Sequence, residues 1–270
     1  MITVKNYIKP DTLEAAYELN QKRANRIIGG MMWLRMGKGN ILTAIDLSGL
    51  LSGEITETDT DFHIGSMCTL RQLETHPGLA KSFGSVWKEC TRHIVGVQFR
   101  NGATVGGSIF GRYGFSDVLT MFLAMDTWVD MYQAGRIPLT EFVTQKKDRD
   151  ILQSVIVKKT PLKVTYLSQR NSETDFPVLT CAASLIGDMP RTVIGARPGR
   201  AMIVEDSEGI LKGFGEMTKK QKPQAVQDFA RYAAEHVPVG SNMRASEDYR
   251  KLLTQVLTRR AWETVGGMKK

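Results

Sequence analysis

The chain has 270 residues, 42% of them hydrophobic and 24% charged, with a formal net charge of +8. That composition is the one of a globular protein with a sizeable core and speaks against a disordered or fibrous one. Cys68, Cys90 and Cys181 are odd in number and unpaired as CxxC, and the four histidines form no HxH or HExxH group; both facts argue against a disulfide framework, a zinc site or an iron–sulfur cluster held by this chain alone.

The positive charge is spread out, with short runs only at Lys146–Lys147, Lys158–Lys159, Lys219–Lys220 and Lys269–Lys270. None is interleaved with the aromatic residues that a base-stacking surface needs, so no nucleic-acid partner is expected. Apolar stretches such as "VLTMFLAM" are too short to span a membrane. "MITVKNYIKPD" lacks the apolar core of a signal peptide, and the expected location is cytoplasmic.

In chain order, the first expected element is a helix after Pro10, capped by Asp11 and striped by Leu13, Ala16 and Tyr17. "RIIGG" reads as a short buried strand ending in glycine, with "AIDLSGL" and "DFHIGSMC" as further strands. A helix after Pro77 places Leu79, Phe83, Val86, Trp87 and Cys90 on one face. The segment "HIVGVQFRNGATVGGSIFGRYGFSD" is rich in glycine and β-branched residues and has no helical period. A helix follows from about Ser116, and "TWVDMYQAGRIPLTEF" reads as strand, turn and strand. From Thr160, "KVTYLSQ", "PVLTCAASLIG" and "RTVIGARPGRAMIVED" read as antiparallel strands joined by polar turns. Two helices end the chain, near 223–236 and 245–262, the second with Tyr249, Leu252, Leu253, Val256 and Leu257 on one face. The fold class is α+β, with a domain boundary near residue 159.

Two glycine pairs raise the question of chemistry: Gly29–Gly30 in "IGGMM" and Gly106–Gly107 in "TVGGS". Neither fits GxGxxG or GxxxxGK[ST], so neither Rossmann nor P-loop chemistry is expected. Each pair alone is either a turn or packing device, or a concave nest of main-chain N–H groups for phosphate oxygens.

Their flanks carry a resemblance. "IIGGMMWLRMGKGNILTAIDLSGL" resembles AGGTDLLVRMK…IDL, which opens the flavin-binding subunits of the molybdenum hydroxylases. "QFRNGATVGGSIFGRYGFSDVLTMFLAMDT" resembles their second signature, IRNRATIGGNIANASPISDLLPALLALDA, without a gap. "IGSMCTLRQLETHP" between them and "ASEDYRKLLTQVLTRRA" near the end are similar to two further family stretches in the family's order. The chain thus resembles the medium, FAD-binding subunit of the xanthine dehydrogenase and carbon monoxide dehydrogenase type.

The resemblance implies a two-lobed FAD-binding domain of the PCMH/vanillyl-alcohol-oxidase type over 1–159, with lobes of about 1–57 and 58–159. A small C-terminal domain of antiparallel sheet plus helices over 160–270 follows. It implies FAD as cofactor, its diphosphate clamped by Ile28, Gly29, Gly30, Met31, Met32 and Trp33 on one side. Thr104, Val105, Gly106, Gly107 and Ser108 form the other side. Asp117 matches the acidic residue that holds hydroxyls of the FAD sugar chain, or it supports the helix N-terminus. Leu152 lies against the flavin, or is a core leucine. Tyr113 lines the ring pocket, or belongs with Arg112 to a surface loop. Ser168 stands where the family often has the lysine of Tyr-x-Lys, implying a different redox tuning. Arg170 and Asp175 loosely match a family arginine and aspartate.

The implied function is an FAD-dependent electron-transfer subunit of a xanthine dehydrogenase-like molybdenum hydroxylase. It takes electrons from a 2Fe-2S small subunit, alongside a molybdopterin-binding large subunit, and passes them to NAD or another acceptor. No catalytic acid–base, nucleophilic or metal-ligating residue is assigned. Met31, Met32, Ser108 and Ser168 depart from the family pattern and leave open a scaffold subunit that has lost flavin. A stand-alone FAD oxidase is the remaining alternative.

Overall fold

A computed structural model describes residues 2–268; the Lys269–Lys270 run lies outside the described residues. The α+β class read from the sequence is the one the structure shows. Its two compact units are interleaved along the chain. One takes the stretch through His76, Gly96–Gly111 and Thr127–Val157, and the other takes Pro77–Val95, Arg112–Asp126 and everything from Lys158 on.

The first unit holds two sheets. Strands β1 (Ile2–Ile8), β2 (Arg26–Ile28) and β3 (Gly39–Asp46) form a parallel sheet of order β1-β3-β2. The helix Leu13–Gln21 packs on it through Ala16, which shares a small core with Ile45, Leu47 and Ile151. Its cap is Thr12, whose hydroxyl accepts the Ala15 N–H at 3.2 Å, one residue later than expected. The second sheet contains β4 (Ile55–Glu57), β5 (Asp61–Gly65), β6 (Thr127–Met131), β7 (Gly135–Pro138) and β8 (Leu152–Lys158), in the order β4-β5-β8-β6-β7. "LTEF" after β7 is a helical turn, Leu139–Phe142, rather than the end of a strand.

Two short helices, Val97–Gly102 and Val105–Phe110, occupy the glycine-rich segment that showed no helical period. Helices this short are not stable by propensity and are held from outside. Leu70 N–H bonds to Ala103 O and Val105 N–H to Cys68 O, both at 2.8 Å. The salt bridge from Arg100 to Glu74, 2.8 Å and buried at both ends, fixes the first of the two.

The second unit is a four-stranded antiparallel sheet, β9 (Leu162–Arg170), β10 (Pro177–Ile186), β11 (Met189–Gly195) and β12 (Met202–Ile203), ordered β12-β11-β10-β9. All ten residues of β10 are buried, because both of its faces are covered. Leu179, Cys181, Ala183 and Leu185 pack into a core with Phe229 and Ala233 of helix Gln221–His236 and Leu257 and Trp262 of helix Glu247–Val265. On the other face Thr180 meets Thr120 of helix Asp117–Leu123, hydroxyl to hydroxyl at 3.0 Å. The buried face of the last helix is rotated from the expected stripe: Leu253 and Leu257 are inside, whereas Tyr249 and Leu252 are exposed. Arg250 takes the inner place, donating to the carbonyls of Val178, Gly240 and Ala245 and to Asn242 Oδ1. The helix after Pro77 is two helices, Pro77–Phe83 and Val86–Thr91, parted at the left-handed Gly84 (φ +68°).

Candidate cofactor site

The first glycine pair leaves the sheet at Ile28, the residue of β2 paired with Asp46 of β3. Its approach is clamped by Arg149, whose guanidinium donates to Asn20 Oδ1 and to the carbonyls of Lys22 and Asn25 at 2.9–3.1 Å. A Cβ on Gly30 would stand closer to the carbonyl oxygen of Gly102 than a covalent carbon–carbon bond allows. A Cβ on Gly29 would lie 2.6 Å from Thr104 Oγ1. Glycine is therefore required here for close approach of two loops, not merely to clear space in front of the N–H groups. The structure brings the two glycine segments against each other within one unit, a juxtaposition invisible in either segment alone.

Met31 follows in the left-handed conformation, φ +56°. A left-handed residue in such a run turns successive N–H groups toward one side, the geometry of an anion nest. Among the described residues, the N–H groups of Gly29, Gly30, Met31 and Met32 take no partner within the protein. Gly30 is exposed, and Gly29, Met31 and Met32 are half-buried. Met32 packs its sulfur where a side chain on Gly102 would otherwise stand, 2.9 Å from that Cβ position. Trp33 leans on Phe99 with ring centroids 4.5 Å apart. Arg35 N–H bonds to Met31 O at 2.9 Å and starts the short 3₁₀ turn Leu34–Met36 that fixes the loop's far end.

The second pair is built differently. Thr104 caps the helix Val105–Phe110, so the glycines lie in a first helical turn rather than at a strand end. Their donors are engaged: Gly106 N–H bonds to Ser66 O at 2.8 Å, Gly107 N–H to Thr104 Oγ1 at 3.2 Å, and Ser108 N–H to Thr104 O at 3.1 Å. A Cβ on Gly106 would collide with Ser66, 2.6 Å from both its Cβ and its carbonyl oxygen. Gly107 is the exposed member, and its long local bond is the one a stronger acceptor can replace. Ser108 Oγ donates to Thr104 O at 2.9 Å and is buried. Val105 is wholly buried.

The electrostatics favour an anion. No carboxylate occurs between residues 26 and 45 or between 96 and 116, and Arg26, Arg35 and Lys38 are exposed on the first segment. The one buried cation among these stretches of the first unit, Arg100, is neutralised by Glu74. Four free main-chain donors with no opposing negative charge suit a diphosphate, so the residues present fit that part of FAD.

Leu152 opens β8 of the same unit, buried at a core position opposite Met131. Tyr113, Asp117 and Ser168 belong to the other unit. Tyr113 is half-buried and stacked on Phe115, with centroids 5.2 Å apart and planes 10° apart. Ser168 is half-buried in β9, opposite Thr180.

Asp117 is buried, and its Oδ1 accepts from the Tyr166 hydroxyl at 2.5 Å and from Arg170 Nη2. Burial pushes its carboxyl above the ordinary range, opposed by the Arg170 cation and by hydrogen bonds from Tyr166 and Arg170. Burial, then the Asp117 charge, drive the Tyr166 phenol well above its usual value. Tyr166, Ser168 and Arg170 alternate along β9 and so share one face, a period-two signal present in the sequence. What the sequence concealed is that Asp117, about fifty positions earlier, is their partner. The helix cap is Ser116, whose Oγ accepts the Leu119 N–H at 3.1 Å.

Arg170 also donates from Nη1 to Asp175 O at 2.6 Å, and Asp175 Oδ1 pairs with Arg244 at 3.1 Å. The hydrogen bond from Arg244 holds the Asp175 carboxyl below its usual value, outweighing burial. A lowered folded value means that stability from this pair is present above the ordinary aspartate pKa of about 3.9 and is lost as pH falls through the folded value. Replacing Arg244 by leucine should therefore lower the urea midpoint more at pH 7 than near pH 2, which denaturation curves at the two pH values check.

A family model described as the FAD binding domain in molybdopterin dehydrogenase matches residues 3–161, and one described as the CO dehydrogenase flavoprotein C-terminal domain matches residues 165–265. The nicotine 6-hydroxylase medium subunit of Paenarthrobacter nicotinovorans is 24% identical over 276 residues, covering 94% of each chain. Among solved structures, a chain of carbon monoxide dehydrogenase from Hydrogenophaga pseudoflava superposes with a TM-score of 0.83 at 18% identity, covering 97% of each chain. A chain of quinoline 2-oxidoreductase from Pseudomonas putida 86 gives 0.80 at 21% identity, again covering 97% of each.

Proposed function

Because this chain belongs to the family of the FAD binding domain in molybdopterin dehydrogenase, we propose that it is the FAD-carrying medium subunit of a molybdenum hydroxylase complex. The chain binds FAD, and the complex is an oxidoreductase. The observation that carries the site is the run of free N–H groups from Gly29 to Met32, set around left-handed Met31. These donors hold the diphosphate, while Gly106 lets the second loop sit close and the exposed Gly107 adds a donor that is only weakly engaged. Met31 and Met32 in place of polar residues cost side-chain hydrogen bonds but leave the main-chain contacts intact.

Bound there, FAD would supply the redox chemistry by which this subunit passes electrons from a 2Fe-2S subunit to NAD or another acceptor. The chain's own part is to bind, orient and shield. Trp33 against Phe99 walls the first loop. In the second unit Oδ1 of the Asp117 carboxylate is engaged by Tyr166 and Arg170 and fixes those two side chains, while its place at the sugar hydroxyls rests on the motif. Leu152, Tyr113 and Ser168 keep their proposed places near the flavin on the strength of the motif alone.

The partners in this reading are a molybdopterin-binding large subunit and a 2Fe-2S small subunit, and the compartment is the cytoplasm. Among the described residues no helix is long and apolar enough to cross a membrane. The division into 1–159 and 160–270 is supported by the two matched stretches, which meet between 161 and 165. The similar proteins act, by their names, on nicotine, carbon monoxide and quinoline, so no substrate is assigned through this chain, and the xanthine dehydrogenase-like expectation is not narrowed to purines.

The test is direct. The purified complex should release FAD on denaturation, and this chain separated from its partners with FAD bound should be yellow, absorbing at about 450 nm. A complex that releases no FAD on denaturation while its partner subunits keep their cofactors would instead identify the flavin-less scaffold. Substrate oxidation by the isolated chain would identify the stand-alone oxidase.

A further inference from the structure

The parallel sheet of the first unit ends on a strand that is exposed from Thr3 onward. Among the described residues β1 lies at the edge and is hydrogen-bonded to β3 alone, and every residue from Thr3 to Ile8 is exposed. Parallel sheets are ordinarily covered on both faces. The register sets Val4 opposite Ile41 and Ile8 opposite Ile45, so these four side chains share the face on which the helix Leu13–Gln21 packs. Ile41 and Ile45 are 4% and 0% exposed, yet Val4 and Ile8 remain 38% and 37% exposed. The helix therefore covers β3 and stops short of β1. On the opposite face Tyr7 is also exposed, tied by its hydroxyl to Asp46 Oδ2 at 2.5 Å.

The charge on this strand itself is of one sign, and the carboxylate beside it, Asp46 of β3, is taken up by the Tyr7 hydroxyl. Lys5 on β1 and Lys9 just beyond it are exposed, and no carboxylate lies between residues 2 and 10.

We propose that the outer edge of β1 is a docking strand for a second, different protein chain whose contacting face is acidic. Val4 and Ile8 seat against its apolar centre, and its carboxylates face Lys5 and Lys9. A lipid surface fits less well, because the outward N–H and C=O groups of an edge strand need hydrogen-bond partners, which another polypeptide offers and acyl chains do not. A second copy of this chain fits less well too, because symmetric pairing would bring Lys5 and Lys9 against their own counterparts. The inference rests on the reading of this chain as one subunit of a complex.

The experiment is native mass spectrometry of the complex purified through a C-terminal tag on this chain, at low and high salt. Wild type is compared with Lys5→Glu/Lys9→Glu and with Val4→Asp/Ile8→Asp. Wild type should carry its partner chains and lose them progressively as salt screens the charges. Both variants should keep FAD and their far-ultraviolet spectrum while partner occupancy falls by about 10-fold or more. The lysine pair is fully at the surface, so its reversal keeps the test decisive even where the apolar pair disturbs folding. Hydrogen exchange over residues 3–8 should be slower in the complex than in the free chain.

Assembly of both variants at the wild-type level overturns the docking strand and leaves the subunit reading standing. Oligomers of this chain alone, or binding to phosphatidylserine vesicles that the variants abolish while assembly is intact, also overturn it. A wild-type chain that purifies alone with FAD bound refutes the subunit reading, and the docking strand with it.

Discussion

Replacing Gly30 by alanine should strip the protein of FAD. The new methyl group would stand inside the carbonyl of Gly102, and alanine has no rotamer by which to escape. One of the two loops must move, at a cost typical of overpacking, about 1–3 kcal/mol or more, and the N–H groups of Gly29 to Met32 move with it. Gly107 supplies the contrast. Its Cβ would meet only Thr104 Oγ1, at 3.0 Å, so Gly107→Ala should fold with stability within about 1 kcal/mol of wild type. Met32→Ala should retain FAD, because Met32 contributes packing over Gly102 and its main chain does the binding. FAD released on denaturation, measured beside the thermal midpoint of each variant, checks all three. Full FAD occupancy in Gly30→Ala would show that the loop spacing is not what holds the cofactor.

The second large effect is expected at Arg170. Replacing it by leucine leaves the Asp117 carboxylate buried with the Tyr166 hydroxyl as its remaining partner at Oδ1. Removing one member of a buried ion pair costs about 3–5 kcal/mol. The loss should depend on pH with a defined sign. Burial already raises the Asp117 pKa against the pull of Arg170, and without the cation it rises further. A carboxyl with a raised folded value is favoured below its ordinary pKa of about 3.9, and that advantage is lost as pH rises through the folded value. The deficit of Arg170→Leu relative to wild type should therefore be smaller near pH 4.5 than at pH 7.5, as denaturant midpoints would read. Replacing Asp117 and Arg170 together by leucine and methionine should recover much of the loss, since apolar substitutes for a complete buried pair are often nearly neutral.

Much of the second unit was legible in the sequence because its signals are local. β9 to β11 are bounded by turns, and β10 reads as an unbroken run of small and apolar residues, as a strand covered on both faces must. β1 was missed for the opposite reason: "ITVKNYI" has no buried face to impose alternation. The helices Val97–Gly102 and Val105–Phe110 give no such signal because short glycine-containing stretches have no helical preference of their own, and bonds with Cys68 and Leu70 from elsewhere in the chain hold them. The glycine pairs were recognisable as special, yet the reason for them was not. Gly30 and Gly106 are set by contacts with Gly102 and Ser66, and the two loops proved unequal, one with free donors and one with its donors engaged. Asp117 shows the same limit. Its motif suggested a ligand contact, while its partners Tyr166 and Arg170 lie about fifty residues away in sequence and could be assigned only from the fold.

The central claim is that the main chain from Gly29 to Met32 grips a diphosphate. Competition for FAD binding to the flavin-free protein, by ADP and by adenosine, tests it most directly. ADP should displace FAD at concentrations where adenosine, which offers the same base and sugar without the diphosphate, has no effect. Equal displacement by the two compounds would contradict the account.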